Sequence, residues 1–230
     1  MAARLRQAVQ HGTPEAVDAL IEEGADVFHQ HDARAQSLVF FAASKPAAPG
    51  LVDRRRMLEH LVSRRGLPGD PVDSLGQTPL YYAAKEGDVA ASRFLIEKRC
   101  SPDHQDNMGQ SPLFYSAKAG HAACLEALLA ARASPDRADN HQQTPLFYAS
   151  TVGCVAALLR ADTDPNWRDA IGQTACMLMA ESGSTDRLQV LVEHRADLRL
   201  QDHGGKTCLS RAEWAGHAQR LITCFGDCFG

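Results

Sequence analysis

The segment that decides the fold is Gly-Gln-Thr-Pro-Leu at residues 76–80, because it returns at a nearly fixed interval. It reappears as Gly-Gln-Ser-Pro-Leu at 109–113 and as Gln-Gln-Thr-Pro-Leu at 142–146, and weaker copies begin at Gly172 and Gly205. The hydroxyl residues of these copies lie at positions 78, 111, 144, 174 and 207, so the successive intervals are 33, 33, 30 and 33 residues. A period of this size predicts an array of similar, stacked units.

Other columns keep the same register. An aspartate lies five residues before each hydroxyl residue, at Asp32, Asp73, Asp106, Asp139, Asp169 and Asp202. A glycine recurs at Gly12, Gly87, Gly120, Gly153, Gly183 and Gly216, and a pair of aliphatic residues follows it. Ser or Thr before Pro is typical of a helix start, where the hydroxyl caps free N–H groups, and left-handed glycine can end that helix. Each unit is therefore predicted as two helices joined by a tight turn, followed by a connector in which Asp bonds its own backbone.

Two intervals depart from the 33-residue period. An earlier copy with its hydroxyl at Ser37 precedes Thr78 by 41 residues. The Pro-rich stretch at 45–50 indicates a loop inserted at 44–52, between the two helices of that unit. The 30-residue interval is assigned to three residues missing from the start of the second helix, near Gly153.

The pattern Asp-x-x-Gly-x-Thr-Pro-Leu, followed by Ala-Ala, Gly and Leu-Leu, resembles the ankyrin repeat over nearly the whole chain. The resemblance implies an all-α solenoid of about six to seven helix-turn-helix repeats with hairpin-like connecting loops. The solenoid is expected to form a single domain, 1–230. Its predicted repeats are 1–36, 37–77, 78–110, 111–143, 144–173, 174–206 and a C-terminal cap at 207–230.

The chain departs from the family at the position where ankyrin repeats usually carry His after Thr-Pro-Leu. The residues here are Tyr81, Phe114 and Phe147. We therefore expect the hydrogen bonds that this His makes between neighbouring repeats to be absent, and aromatic packing to take their place.

The resemblance also implies a partner-binding surface, since the connectors of ankyrin arrays form fingers that line a concave groove together with the first helices. The finger positions are Ser74, Leu75, Gln77, Asn107, Met108, Gln110, Asn140, His141, Gln143, Ala170, Ile171 and Gln173, and the ends of the first helices add Lys85, Glu86, Lys118, Thr151, Glu181 and Ser182.

Three features of this surface have two interpretations each. The apolar residues Leu75, Met108 and Ile171 either form an exposed contact surface or pack between adjacent fingers. Trp167 either contributes to partner binding or covers the gap left by the shortened helix. The glutamine that recurs before each hydroxyl residue either bonds between repeats or meets the partner.

No motif predicts catalysis, a metal site or a cofactor. The Gly-Lys-Thr at 205–207 resembles the end of a phosphate-binding loop, but that loop needs a Gly where this chain has Leu200. His29, His31 and Asp32 form a cluster with too few ligands for structural zinc.

The cysteine content and the net charge limit the classes of protein to which this chain can belong. Seven cysteines form an odd set without framework spacing, which indicates reduced thiols in a cytosolic or nuclear protein. Cys124, Cys154 and Cys224 are expected in the core, and Cys228 is expected to be an exposed thiol. The net charge is −4 and no face concentrates basic residues, so nucleic acid is not an expected partner. No apolar run is long enough to predict a membrane helix.

These observations predict a non-catalytic protein–protein interaction module, a scaffold, adaptor or structural subunit that binds a protein through its fingers and concave face. The repeats leave no room for a catalytic domain, and no small-molecule substrate is expected. The alternative is a subunit that recruits substrates to an enzyme complex, such as a ubiquitin ligase or kinase complex. Co-purification with a catalytic subunit would distinguish the alternative.

Overall fold

The computed structural model describes residues 1–28, 32–44 and 54–226. Within these ranges the chain forms helices joined by turns, and no β-strand occurs. The helices are α1 (Ala2–His11), α2 (Pro14–Glu22), α3 (Leu38–Ala43), α4 (Arg54–Leu58), α5 (Pro79–Lys85), α6 (Val89–Glu97), α7 (Pro112–Ala119), α8 (Ala122–Ala130), α9 (Pro145–Tyr148), α10 (Val152–Arg160), α11 (Ala175–Glu181), α12 (Thr185–Glu193), α13 (Cys208–Trp214) and α14 (Ala218–Phe225). Helix α4 continues as a π-helix at Glu59–Arg64.

The described helices form consecutive pairs that stack in chain order. The first helices of neighbouring pairs pack on each other from α1 through α13, and the second helices do so from α4 through α14. Leucines of both layers are fully buried between the pairs, including Leu80, Leu113, Leu125 and Leu158. One pair cannot bury its apolar face alone, so each unit depends on its neighbours for stability. The predicted all-α solenoid is confirmed.

Glycine ends the first helix at four of the six predicted positions. Gly87, Gly120, Gly183 and Gly216 have φ between 65° and 81°, the left-handed conformation expected after a helix. The prediction is wrong at Gly12, where φ is −103°. It is also wrong at Gly153, which lies inside α10.

The hydroxyl column does not cap most first helices, contrary to the prediction. The hydroxyls of Ser111, Thr144 and Thr174 are buried without a hydrogen-bond partner among the described residues. In the last pair, by contrast, Thr207 Oγ1 accepts from Ser210 N at 3.3 Å, and Ser210 Oγ accepts from Thr207 N at 2.9 Å. Such a reciprocal cap needs a polar residue three positions after the hydroxyl. The other copies have Tyr81, Phe114, Phe147 or Met177 there.

The three-residue deletion falls in the first helix of its unit, so its predicted place in the second helix is wrong. Helix α10 has nine residues, as does α8 in the preceding pair, whereas α9 has only four. Arg187 of the next pair donates from Nη1 to Ala149 O at 2.7 Å, which satisfies a carbonyl at the shortened end. The second helix keeps its length because it carries the buried residues Cys154, Val155 and Leu158.

Two of the cysteine predictions are confirmed and one is wrong. Cys124 and Cys154 are buried, but Cys224 is exposed. Helix α14 buries only Leu221 and Phe225, so Cys224 lies on its outer side. The inserted loop at 44–52, apart from Ser44, lies outside the described residues, as do His29, His31 and Cys228.

The two kinds of hydroxyl residue predict opposite effects of the same substitution. We expect Thr144→Val to raise the free energy of unfolding by about 1 kcal/mol, because it removes a buried hydroxyl that has no partner. We expect Thr207→Val to lower it by about 1 kcal/mol, because it removes a working cap. Urea unfolding of both variants measures the difference. A similar loss in both would show that the Thr144 hydroxyl is satisfied in solution.

Candidate functional site

Each connector closes into a tight turn around an aspartate, and the segments 73–77, 106–110, 139–143 and 169–173 are called the fingers. In the first finger, Asp73 Oδ1 accepts from Leu75 N at 3.0 Å and from Gln77 N at 2.9 Å. Asp73 N also donates to Gln77 O at 2.9 Å, which closes the hairpin. The other three fingers repeat these carboxylate contacts. The predicted bonding of Asp to its own backbone is confirmed.

A ladder of hydrogen bonds joins successive fingers. The second residue of a finger donates its N–H to the C=O of the third residue of the preceding finger, each at 3.0 Å, in the pairs Asn107 to Leu75, Asn140 to Met108 and Ala170 to His141. The side-chain amides of Asn107 and Asn140 add bonds of 3.1 Å to Ser74 O and Asn107 O. The ladder fixes the spacing and orientation of the finger tips, so both asparagines serve the structure.

Two side chains from the connector that follows a finger bond to the backbone of that finger's turn. His104 Nε2 lies 2.8 Å from Gly76 O, and Trp167 Nε1 donates to Gln142 O at 2.8 Å. Gln142 has φ 61°, in the left-handed region where the other fingers have glycine, so this turn carries backbone strain. Trp167 is half buried and packs against the core. Its contacts favour a structural role over partner binding. Sequence reasoning missed His104, although it occupies the same column as Trp167.

The glutamine column bonds between units, which resolves the alternative left by the sequence. Asp106 Oδ2 accepts from Gln77 Nε2 of the preceding finger at 3.0 Å and from Tyr115 Oη at 2.7 Å. Gln110 and Gln143 donate in the same way, to Asp139 at 3.1 Å and Asp169 at 2.8 Å.

The glutamine side chains therefore do not form part of the predicted partner-binding surface. Gln77, Gln110 and Gln173 are buried, and Gln143 is partly buried. Their amides lie inside the array because each one satisfies a carboxylate or a guanidinium of the next unit.

At the junction between the last two units, the guanidinium of Arg211 takes the place of the tyrosine and glutamine donors. Arg211 donates to Asp202 Oδ2 at 2.6 Å and to Glu181 Oε2 at 3.0 Å. With its amide oxygen turned towards the guanidinium, Gln173 accepts from Arg211 Nη1 at 3.1 Å. The hydrogen bond from Arg211 holds the pKa of Asp202 below its usual range. The Glu181 carboxylate, predicted to contact a partner, is thus already engaged within the array.

Aromatic residues pack between units as predicted. At two of the predicted positions, Tyr81 and Tyr115 form an edge-to-face pair with centroids 5.3 Å apart, and Phe114 and Tyr148 form one at 5.5 Å. Tyr81 keeps a hydrogen bond, because a phenol carries a polar group at the ring edge. Its Oη lies 2.5 Å from His104 O and 2.9 Å from Gln110 O, both in its own repeat, so this bond does not join neighbouring repeats.

The finger tips expose apolar side chains. Leu75, Met108 and Ile171 are 44%, 52% and 56% exposed, so packing between adjacent fingers does not bury them. The other finger residues predicted to contact a partner and found exposed are Ser74, Asn107, Asn140, His141 and Ala170. The tips thus present a row of side chains that is apolar in three of the four fingers, and the third finger has His141 at this position.

A second row runs along the ends of the first helices. It is called the helix row and consists of Lys85, Lys118, Glu181 and Trp214, each seven residues after the hydroxyl of its unit. Both lysines are exposed, and Trp214 is 82% exposed. Sequence reasoning missed Trp214, although the repeat register places it in line with Lys85 and Lys118.

The remaining predicted residues of this region have different positions. Thr151 does not end a first helix: it is the N-cap of α10, and its Oγ1 accepts from Cys154 N at 3.3 Å. The deletion in the first helix shifted this alignment. Glu86 is half buried at the end of α5, and Ser182 is exposed, with its Oγ donating to Met179 O at 3.0 Å.

Comparison with known proteins establishes the class. The family model described as ankyrin repeats (3 copies) matches residues 5–106, 93–166 and 146–224. The chain belongs to the ankyrin repeat family. Ankyrin repeats are generally protein–protein interaction modules, and their fold is typically non-catalytic.

A solved structure supports the same assignment. The ankyrin repeat domain of human ASB11 superposes with a TM-score of 0.79 at 25% sequence identity, and the match covers 95% of this chain and 96% of that one. No curated protein matches the chain.

The described residues also set limits on other kinds of site. Among residues 1–28, 32–44 and 54–226, no three His, Cys, Asp or Glu side chains are grouped as metal ligands. In the same part of the chain, no helix has the length and apolar character needed to cross a membrane.

The tyrosines bonded to the aspartates of the first three fingers predict a loss of stability in alkali. Burial, together with the hydrogen bond to Asp73, raises the pKa of Tyr82 to about 12. An unfolded tyrosine titrates near pH 10, so the unfolded chain releases this proton first and stability falls as the pH rises from about 10 to about 12. Tyr82→Phe lacks this dependence. The stability advantage of the wild type over the variant, measured by urea unfolding, should be constant below pH 9 and shrink above pH 10. An advantage that stays constant to pH 11 would contradict the prediction.

Proposed function

We propose that this chain is a non-catalytic protein-binding module, a scaffold, adaptor or structural subunit that holds a partner protein on its fingers and helix row. The observation that carries the proposal is the exposure of Leu75, Met108 and Ile171 on tips that are locked to one another by the ladder. Large apolar side chains held in a row at a surface mark a site of association.

Burial of the exposed tip side chains supplies part of the free energy that specific binding needs. Full burial of a side chain such as Leu, Ile or Met contributes roughly 1.5–3 kcal/mol relative to leaving it exposed. About half of each tip side chain is already buried, so three tips together offer a few kcal/mol. The exposed Trp214 at the end of the helix row adds an aromatic contact of the type that is enriched at binding hot spots.

The rigidity of the fingers supports the same function. Each tip is fixed by two bonds to its own aspartate, and one ladder bond joins it to the next tip. Because these bonds exist before a partner arrives, little conformational entropy is lost on docking. A surface of this kind presents side chains in a constant arrangement, as a scaffold requires.

Charge introduced at the tips is expected to abolish partner binding without unfolding the array. In the double variant Met108→Asp with His141→Asp, we expect at least a tenfold loss of partner capture, since each introduced carboxylate must be desolvated at the interface. The thermal midpoint should stay within a few degrees of the wild type, because both side chains are exposed. Affinity capture from native lysate and a thermal melt measure the two quantities.

A control uses α8, the second helix of the unit that carries His141. Ala123→Asp adds one negative charge at an exposed position of α8, away from the fingers and the helix row. Capture by this variant should equal that of the wild type. If the finger variant and the wild type capture the same proteins equally, the fingers are not the binding surface.

A further inference from the structure

Resting on the proposed function, we infer that the bound segment is an extended stretch of a partner protein, with an apolar side chain at every third residue and acidic side chains between them. The apolar residues lie on the file of finger tips. The acidic residues face Lys85 and Lys118 of the helix row.

The spacing of the fingers sets the register. Leu75 and Met108 hold the same place in successive fingers, which are joined directly by the 3.0 Å bond from Asn107 N to Leu75 O. Packed helices, and with them the fingers, repeat at about 8–10 Å. Three residues of extended chain cover about 10 Å, and one turn of polyproline II covers about 9 Å. Every third side chain of an extended ligand therefore meets one finger.

The width of the apolar file favours an extended ligand over a helix. An amphipathic helix presents an apolar stripe at least about 100° wide, which requires more than a single file of apolar residues on the receptor. The helix row of the same array holds Lys85, Lys118 and the ion pair of Glu181 with Arg211. A helix laid on the tips would place part of its apolar face against these charges.

The two lysines define the charge of the ligand. Lys85 and Lys118 are exposed at the ends of α5 and α7, one unit apart, and neither forms an ion pair with any residue that the structure describes. Glu181, the carboxylate of the same row, is bound by Arg211. The free ammonium groups therefore attract acidic side chains of a partner, and they lie at the ends of the two helices that follow the first two apolar tips.

Synthetic peptides test the inference directly on the full chain. The probe is a fluorescein-labelled peptide that repeats Leu-Asp-Ser through about twelve residues, long enough to pass four fingers. Its first control has the same composition, with the leucines grouped as Leu-Leu-Asp-Asp-Ser-Ser. A second control replaces each Asp by Lys, and a third is an amphipathic helical peptide of equal net charge. Fluorescence anisotropy gives the dissociation constants.

The inference predicts a definite order of peptide affinities. The Leu-Asp-Ser peptide should bind about tenfold more tightly than each of the three controls, and Met108→Asp should weaken it by a similar factor. The double variant Lys85→Glu with Lys118→Glu should lose the Asp peptide and gain the Lys peptide. This exchange of preference cannot arise from unfolding, and a thermal melt of the variant verifies its fold.

Several outcomes would overturn the inference. Equal binding of the probe and its grouped isomer would exclude a three-residue register, and tighter binding of the helical peptide would show a helix-binding surface. If no peptide binds but lysate capture still depends on Met108, the inference of an extended acidic ligand is rejected and the proposed function is retained. Loss of that dependence in the lysate experiment would instead contradict the proposed function itself.

Discussion

The stack of units depends on a buried carboxylate in each connector. One oxygen of Asp106 holds two N–H groups of its own finger, and the other accepts from the Gln77 amide of the preceding unit. A single side chain therefore shapes the finger and bonds it to its neighbour. Burying a carboxylate is costly unless its lone pairs are satisfied. The hydroxyl of Tyr115 completes the set, so the cost is offset within the network.

This constraint explains why the fingers can expose apolar side chains and remain ordered. The aspartate and the ladder bond the backbone of each tip, so side chains such as Met108 are not needed for folding and are free for contact. The same logic separates residues by role within one finger. Gln110 faces inward and bonds Asp139, whereas Met108, two residues earlier, faces solvent.

Departures from the repeat are compensated by neighbouring units. The deletion shortens α9, and Arg187 of the following pair supplies a donor to the carbonyl of Ala149. The third finger lacks glycine, and the Trp167 indole bonds the carbonyl of Gln142 at that turn. At the last junction, Arg211 links two carboxylates where earlier junctions use tyrosine and glutamine. Compensation across units is expected where stability is shared between neighbours.

The sequence by itself determined the solenoid, the period and the turn-forming role of the aspartates, because local bonding and apolar spacing repeat in every unit. It also placed Leu75, Met108 and Ile171 at the tips. Only the tertiary structure decided that the glutamines bond between units, that Trp167 supports a finger and that Trp214 is exposed. These properties depend on which side chain of the next unit lies within reach. Since spacing along one chain does not encode that distance, the buried and exposed members of a column were indistinguishable until the units were stacked.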